Sequence, residues 1–185
     1  MKKIIGITGS IGSGKSYAID TFKKICKERK INAIFLDVDD ISRSILEKEK
    51  IDREQLNKKI YNSKKTMEEY KKVINPKIKK YINEKINKSN GVIFIEWALL
   101  LEDNLYDIVD SIIMVYCKEE IQIKRLENGD LGKETVMKRI KIQLTNEEKI
   151  DKIKQLKKEF FVIDTSNNPK ENEYEELLRK EGLYE

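Results

Sequence analysis

Residues 9–16, Gly9-Ser10-Ile11-Gly12-Ser13-Gly14-Lys15-Ser16, constrain the fold of this chain more than any other stretch. They fit the pattern G-x-x-x-x-G-K-[S/T]. The apolar run Ile4-Ile5-Gly6-Ile7 comes before them, and Tyr17-Ala18-Ile19-Asp20-Thr21-Phe22 follows at helical spacing. A strand that turns through glycines into a helix aims several backbone N–H groups at one point. The positive end of the helix dipole lies behind them, so a polyphosphate is the natural ligand. On this reading the nucleotide-binding set runs from Gly9 through Tyr17. The glycines let the backbone approach without a Cβ in the way, Lys15 supplies charge for the β- and γ-phosphates, and Ser16 offers a hydroxyl to Mg²⁺. The competing account, a glycine turn with an incidental lysine, leaves the agreement of motif and strand–helix context unexplained. ATP and Mg²⁺ are the expected ligands.

The remaining pattern predicts an α/β chain. Apolar runs at 32–36, 91–96, 110–117 and 160–164 join the first as five short strands, separated by helical stretches. Strands alternating with helices give a parallel sheet in three layers, helices on both faces. Neither internal repeats nor low-complexity linkers interrupt the 185 residues, which form one domain. Its expected core is 1–39, 91–127 and 159–185. A helical region, 40–90, lies between the second and third strands, where a kinase would hold its acceptor. A lid with its following helices occupies 128–158. Within the helical region Asn75-Pro76 is expected to kink or divide the helix.

Composition narrows the chemistry. With 38 basic and 33 acidic residues interleaved, the charge of +5 describes a solvated surface, not a nucleic-acid groove. No apolar run reaches the length of a membrane span, and Cys26 and Cys117 read as buried thiols of a cytoplasmic protein. Histidine is absent, so a general base must be a carboxylate or an unusual lysine or tyrosine. Only six arginines occur, Arg29, Arg43, Arg53, Arg125, Arg139 and Arg179. In a chain that otherwise uses lysine, arginine marks places where a planar fork is hard to replace.

The second strand ends in Asp37-Val38-Asp39-Asp40 and the third in Glu96-Trp97. Ligands of open α/β sheets bind beyond the carboxyl ends of strands, which favours Asp37, Asp39 and Glu96 as site residues. Asp40 is expected to cap the next helix. Alternation along the strand would put Asp37 and Asp39 on one face. Trp97 reads equally as core or as a wall of the acceptor site. The loop Glu127-Asn128-Gly129-Asp130-Leu131-Gly132 lies between Arg125 and Arg139 and reads as a lid over phosphates, against the plainer account of a surface turn.

Several segments together resemble the dephospho-coenzyme A kinase family over nearly the whole chain. They are 5–16, Leu36-Asp37-Val38-Asp39-Asp40-Ile41-Ser42-Arg43, Ile51-Asp52-Arg53 with Leu56, Leu99-Leu100-Leu101-Glu102, Gln122 with Arg125, Arg139-Ile140 with Gln143, and Val162-Ile163-Asp164. The chain departs from that family in a shortened segment of nine residues between Arg43 and Arg53, in Asn75 before Pro76, in Glu96-Trp97-Ala98, and in lacking a lid arginine around Asn128-Gly129. The resemblance implies a P-loop nucleotide-kinase fold and transfer of the γ-phosphoryl of ATP to the ribose 3′-hydroxyl of dephospho-CoA. It implies catalytic roles for Lys15, Asp39 and Arg139, with Arg125 on the nucleotide. The resemblance puts Arg43 and Arg53 on the pyrophosphate of the small-molecule acceptor, while Asp37, Glu96 and Trp97 are acceptor candidates from their strand-end positions. A related kinase acting on another nucleotide or nucleoside, or a P-loop regulatory NTPase, stays open. The sequence does not fix the oligomeric state.

Overall fold

The computed structural model describes residues 2–52, 55–56, 64–128, 136, 140 and 143–185. Arg53, Arg139 and most of the expected lid loop lie outside the described residues. Five strands, β1 (Lys3–Thr8), β2 (Ala33–Asp37), β3 (Val92–Glu96), β4 (Ser111–Tyr116) and β5 (Glu159–Asp164), form one parallel sheet in the order β2-β3-β1-β4-β5. The order reverses direction at β1, which leaves a crevice beyond its carboxyl end. Each expected strand is present, shifted by a residue at most at either end.

Helices α1 (Lys15–Glu28) and α6 (Glu171–Lys180) cover one face of the sheet. Helices α2 (Val38–Lys48), α3 (Lys64–Lys88) and α5 (Asn146–Gln155) cover the other. The short helix α4 (Glu119–Glu127) follows β4 and buries only Gln122. Alternation along β3 decides which side chain meets which layer. Ile93, Ile95 and Trp97 join the α2–α3–α5 core, while Val92 and Phe94 join the α1–α6 core. A strand buried on both faces has no use for polar residues, and β3 is apolar until Glu96.

Helix α3 runs unbroken through Pro76, where the sequence predicts a kink or division. The proline removes one backbone hydrogen bond, but Ile74, Ile78, Ile82 and Ile86, spaced four apart, bury one continuous stripe across it. Apolar contact on that stripe holds the helix as one element. At the opposite end of the sheet from the crevice, buried Glu181 pairs with Lys3 at 2.6 Å and accepts from Ser111 Oγ at 2.7 Å. That contact fixes the residues after α6 to the starts of β1 and β4. No described helix is long and apolar enough to cross a membrane, and Cys26 and Cys117 are buried free thiols.

Candidate active site

The loop between β1 and α1 is shaped by its glycines. A Cβ on Gly9 would lie 2.4 Å from the Val115 carbonyl oxygen and 2.7 Å from Ser13 Oγ, so no side chain fits. Gly14 caps α1 in the left-handed region at φ 90°. Lys15 folds over the loop and donates to the carbonyl oxygens of Gly9 (2.9 Å) and Ser10 (3.1 Å). Burial lowers its ammonium to a pKa of about 8; Glu96 and Asp39 oppose the shift and the charge of Lys149 adds to it. A neutral amine cannot attract a triphosphate, so kcat/KM for ATP is expected to fall as pH rises through 8. The fall should be close to tenfold per pH unit, because the free enzyme's ionisation governs kcat/KM. A profile level to pH 10 would contradict this.

The loop is braced from outside. Ile11 N–H donates to Gln143 Oε1 (2.8 Å), and its carbonyl accepts from Gln122 Nε2 (2.6 Å). Arg125 donates through Nη1 to Thr165 Oγ1 (2.9 Å) and through Nη2 to the Thr165 carbonyl (2.6 Å). Thr165 Oγ1 in turn donates to the Ser13 carbonyl (2.6 Å). Arg125 therefore sits against the loop with its fork used on the segment after β5, and it also borders the cavity above the loop.

That cavity, of about 400 Å³, is bordered by the loop, Lys15, Ser16, Asp37, Asp39, Glu96, Arg125 and Gln143. A second, of about 340 Å³, shares Asp37 and Glu96 with it and continues between Lys23, Phe35, Asp40, Ser44 and Tyr81. Its wall includes Phe35 and Phe94, stacked with ring centres 4.6 Å apart. Glu96 stands on the common wall. Burial, the neighbouring Asp37 carboxylate and Asp39 raise its pKa to about 7, against the pull of Lys15 and Lys23. Among the described residues no three acidic or thiol side chains approach closely enough to chelate a metal by themselves. A serine hydroxyl and scattered carboxylates suit Mg²⁺, which keeps several waters and takes other ligands from phosphates.

Several expected roles change. Asp37, not Asp40, caps α2: its Oδ1 accepts from the N–H groups of Asp39 (2.7 Å) and Asp40 (3.2 Å). Asp39 belongs to the first turn of α2 and not to the strand, so helical rotation, not strand alternation, brings it to the cavity beside Asp37. Trp97 is no wall of the acceptor site. It is 4% exposed, packed in the α2–α3–α5 core, with Nε1 donating to Asp103 Oδ2 at 3.2 Å. One position beyond Glu96, it necessarily faces the other side of the sheet. Arg43 pairs with Asp40 on the exposed side of α2 and borders neither cavity. The Tyr17 side chain is exposed, edge-on to Tyr174, and only its backbone N–H in the first turn remains a candidate contact. The Ser10 side chain points away from the cavity, donating to the Leu144 carbonyl at 3.3 Å.

Sequence reasoning missed a buried ion pair behind the site. Lys149 is fully buried, donates to Glu102 Oε1 at 2.6 Å and to the Ala98 carbonyl at 2.9 Å, and Glu102 Oε1 also accepts from Leu144 N–H at 2.8 Å. Lys149 shares its helix with half-buried Lys152 and exposed Lys154, which hides it; Glu102 was visible only as a matched position. Removing one partner of a buried pair strands the other charge. Glu102→Ala is expected to lower unfolding free energy by about 3–5 kcal/mol, read from urea denaturation, with Glu102→Leu/Lys149→Met recovering most of it. An unchanged urea midpoint for the single variant would show the pair to be inert.

The family model for dephospho-CoA kinase matches residues 44–159 of this chain. The dephospho-CoA kinase of Fusobacterium nucleatum is 31% identical over 198 residues, covering 96% of this chain and 94% of that protein. That of Carboxydothermus hydrogenoformans is 32% identical over 173 residues, covering 80% and 81%. Among solved structures, TT1252 from Thermus thermophilus superposes with a TM-score of 0.80 at 20% identity, over 100% of this chain and 99% of that one. Shikimate kinase from Acinetobacter baumannii has a TM-score of 0.58 at 11% identity, over 97% and 93%. These two structures share the fold.

Proposed function

Because this chain belongs to the dephospho-CoA kinase family, we propose that it transfers the γ-phosphoryl of ATP to the ribose 3′-hydroxyl of dephospho-CoA, giving coenzyme A. One observation carries the reading beyond family membership: the P-loop cavity and its neighbour meet at a common wall of two carboxylates, Asp37 and Glu96. A phosphoryl group passing between two substrates needs such a junction.

The donor triphosphate binds along the loop amides with Lys15 on its terminal phosphates. Ser16, with Asp37 and Glu96 acting through water, would hold Mg²⁺, which when bound offsets charge on the β- and γ-oxygens. The acceptor enters the second cavity, where half-buried Phe35, backed by buried Phe94, offers an apolar wall and Lys23 a cation. Asp39 orients the hydroxyl and receives its proton as the new P–O bond forms. Arg125 borders the donor phosphates, and Arg139 is assigned by resemblance to the charge that develops in transfer. Arg53 is assigned likewise to the acceptor pyrophosphate; Arg43, turned outward, is not retained in that role. We place the reaction in the cytoplasm, without a nucleic-acid or membrane partner.

The test is ADP release measured with dephospho-CoA, nucleoside monophosphates, nucleosides and no acceptor. Turnover with dephospho-CoA alone, giving 3′-phosphorylated product, supports the reading. Turnover with a nucleoside instead, or equal hydrolysis without acceptor, overturns it.

A further inference from the structure

Gln143 occupies a position that neither strand ends nor glycine loops announce. It begins a short strap, Gln143-Leu144-Thr145, that crosses between the P-loop and the segment after β3. The strap is fixed at both edges: Ser10 Oγ donates to the Leu144 carbonyl at 3.3 Å, and Leu144 N–H donates to Glu102 Oε1 at 2.8 Å. From this rigid support the Gln143 side chain reaches the loop, where its Oε1 accepts from Ile11 N–H at 2.8 Å. It borders two cavities, the one that holds Lys15 and Ser16 and a smaller one beside α4 and α5 lined by Glu119 and Glu147.

The chemistry of the carboxamide settles its orientation. A peptide N–H can only donate, so the atom facing Ile11 is the oxygen, and the NH₂ group lies at the other end. Among the described residues no group accepts from that NH₂. The next peptide group is held separately, its Ile11 carbonyl accepting from Gln122 Nε2 at 2.6 Å, so the loop at this point does not depend on Gln143 alone. A donor pair fixed on a stapled strap, beside the lysine of a phosphate loop, is matched by an anionic oxygen.

We propose that Gln143 is a ligand of the donor triphosphate: with its oxygen anchored on Ile11 N–H, its Nε2 donates to a phosphate oxygen of bound ATP. This rests on the kinase reading, in which ATP lies in the P-loop cavity. Hydrogen bonds to charged groups are worth on the order of tenfold to a hundredfold in affinity.

Two substitutions separate this role from simple bracing of the loop. Gln143→Glu keeps an oxygen for Ile11 N–H but turns a carboxylate toward the phosphates. Gln143→Met keeps length and makes neither contact. Binding of a non-hydrolysable ATP analogue with Mg²⁺, and of adenosine, is measured by calorimetry for all three proteins, alongside melting curves. The expected order of ATP-analogue affinity is wild type, then Met, then Glu, the last weaker than wild type by about tenfold to a hundredfold or more. Adenosine, lacking phosphates, should bind all three alike. If Glu matches wild type and only Met is weakened, Gln143 is a brace and the proposal falls. Equal losses for adenosine and the ATP analogue also overturn it, because they report loop damage. If Glu does not fold, a Met variant that binds the analogue as wild type does is enough to reject the contact. A wild-type protein that binds no ATP analogue removes the kinase reading as well, whereas wild-type binding with an unaffected Glu variant removes only this inference.

Discussion

Lys15→Ala is expected to lower kcat/KM for ATP on the order of 10²–10³-fold, the cost of deleting one charge-stabilising donor from a catalytic site. The fold should survive. Burial already disfavours the ammonium in the free protein, as its lowered pKa records, and its hydrogen bonds go to loop carbonyls at the edge of a cavity. Steady-state kinetics with varied ATP, beside a melting curve, decides the matter. Wild-type kinetics in a folded variant would take the P-loop out of the mechanism, whatever the family.

Asp39→Asn is expected to reduce kcat by about 10²–10⁴-fold with little change in ATP affinity, the usual range for lost general-base assistance. The change is nearly isosteric and leaves the Asp37 cap of α2 in place, since Asp39 contributes its backbone N–H to that cap. Glu96 is the rival. It stands on the wall common to both cavities and its pKa of about 7 is well matched to accepting a proton near neutrality. With Asp39 as the base, Asp39→Asn retains a limb in kcat/KM that belongs to Glu96, moved below pH 7 because the Asp39 charge no longer raises it, and Glu96→Gln loses the limb but keeps much of its kcat at neutral pH. The reverse pattern, transfer abolished by Glu96→Gln and spared by Asp39→Asn, would move the base to β3.

The sheet and the loop were legible because each carries a local, period-based signal. Five apolar runs define five strands, and Gly9, Gly14 and Lys15 stand where close approach, a left-handed turn and a cation are required. Asp37 and Glu96 were legible as cavity-lining positions because strand ends in this architecture face the crevice, whereas Asp39 lines the same cavity from the first turn of α2. What failed were inferences about direction. Trp97 lies one residue from the site in sequence and on the opposite face of the sheet in space, which no composition reveals. Asp40 and Asp37 both suit a cap, and the choice depends on the residue at which extended backbone becomes helix. The braces at Gln122, Gln143 and Thr165, like the Glu102–Lys149 pair, join residues remote in sequence. Those pairings arise from tertiary packing and leave no periodic trace.

The lowered pKa of Lys15 also sets this residue apart as a reagent. At pH 7.4 a group with a pKa of about 8 is roughly one-fifth free amine, whereas an ordinary lysine near 10.5 is free about once in a thousand. Only the unprotonated amine attacks an acyl or aldehyde carbon. By free-amine fraction alone, acylation at neutral pH favours this amine over the exposed lysines, for a reagent small enough to reach a nitrogen folded against two loop carbonyls. A triphosphate seated there would cover the nitrogen and return its proton, so nucleotide occupancy would lower the reactivity of this amine.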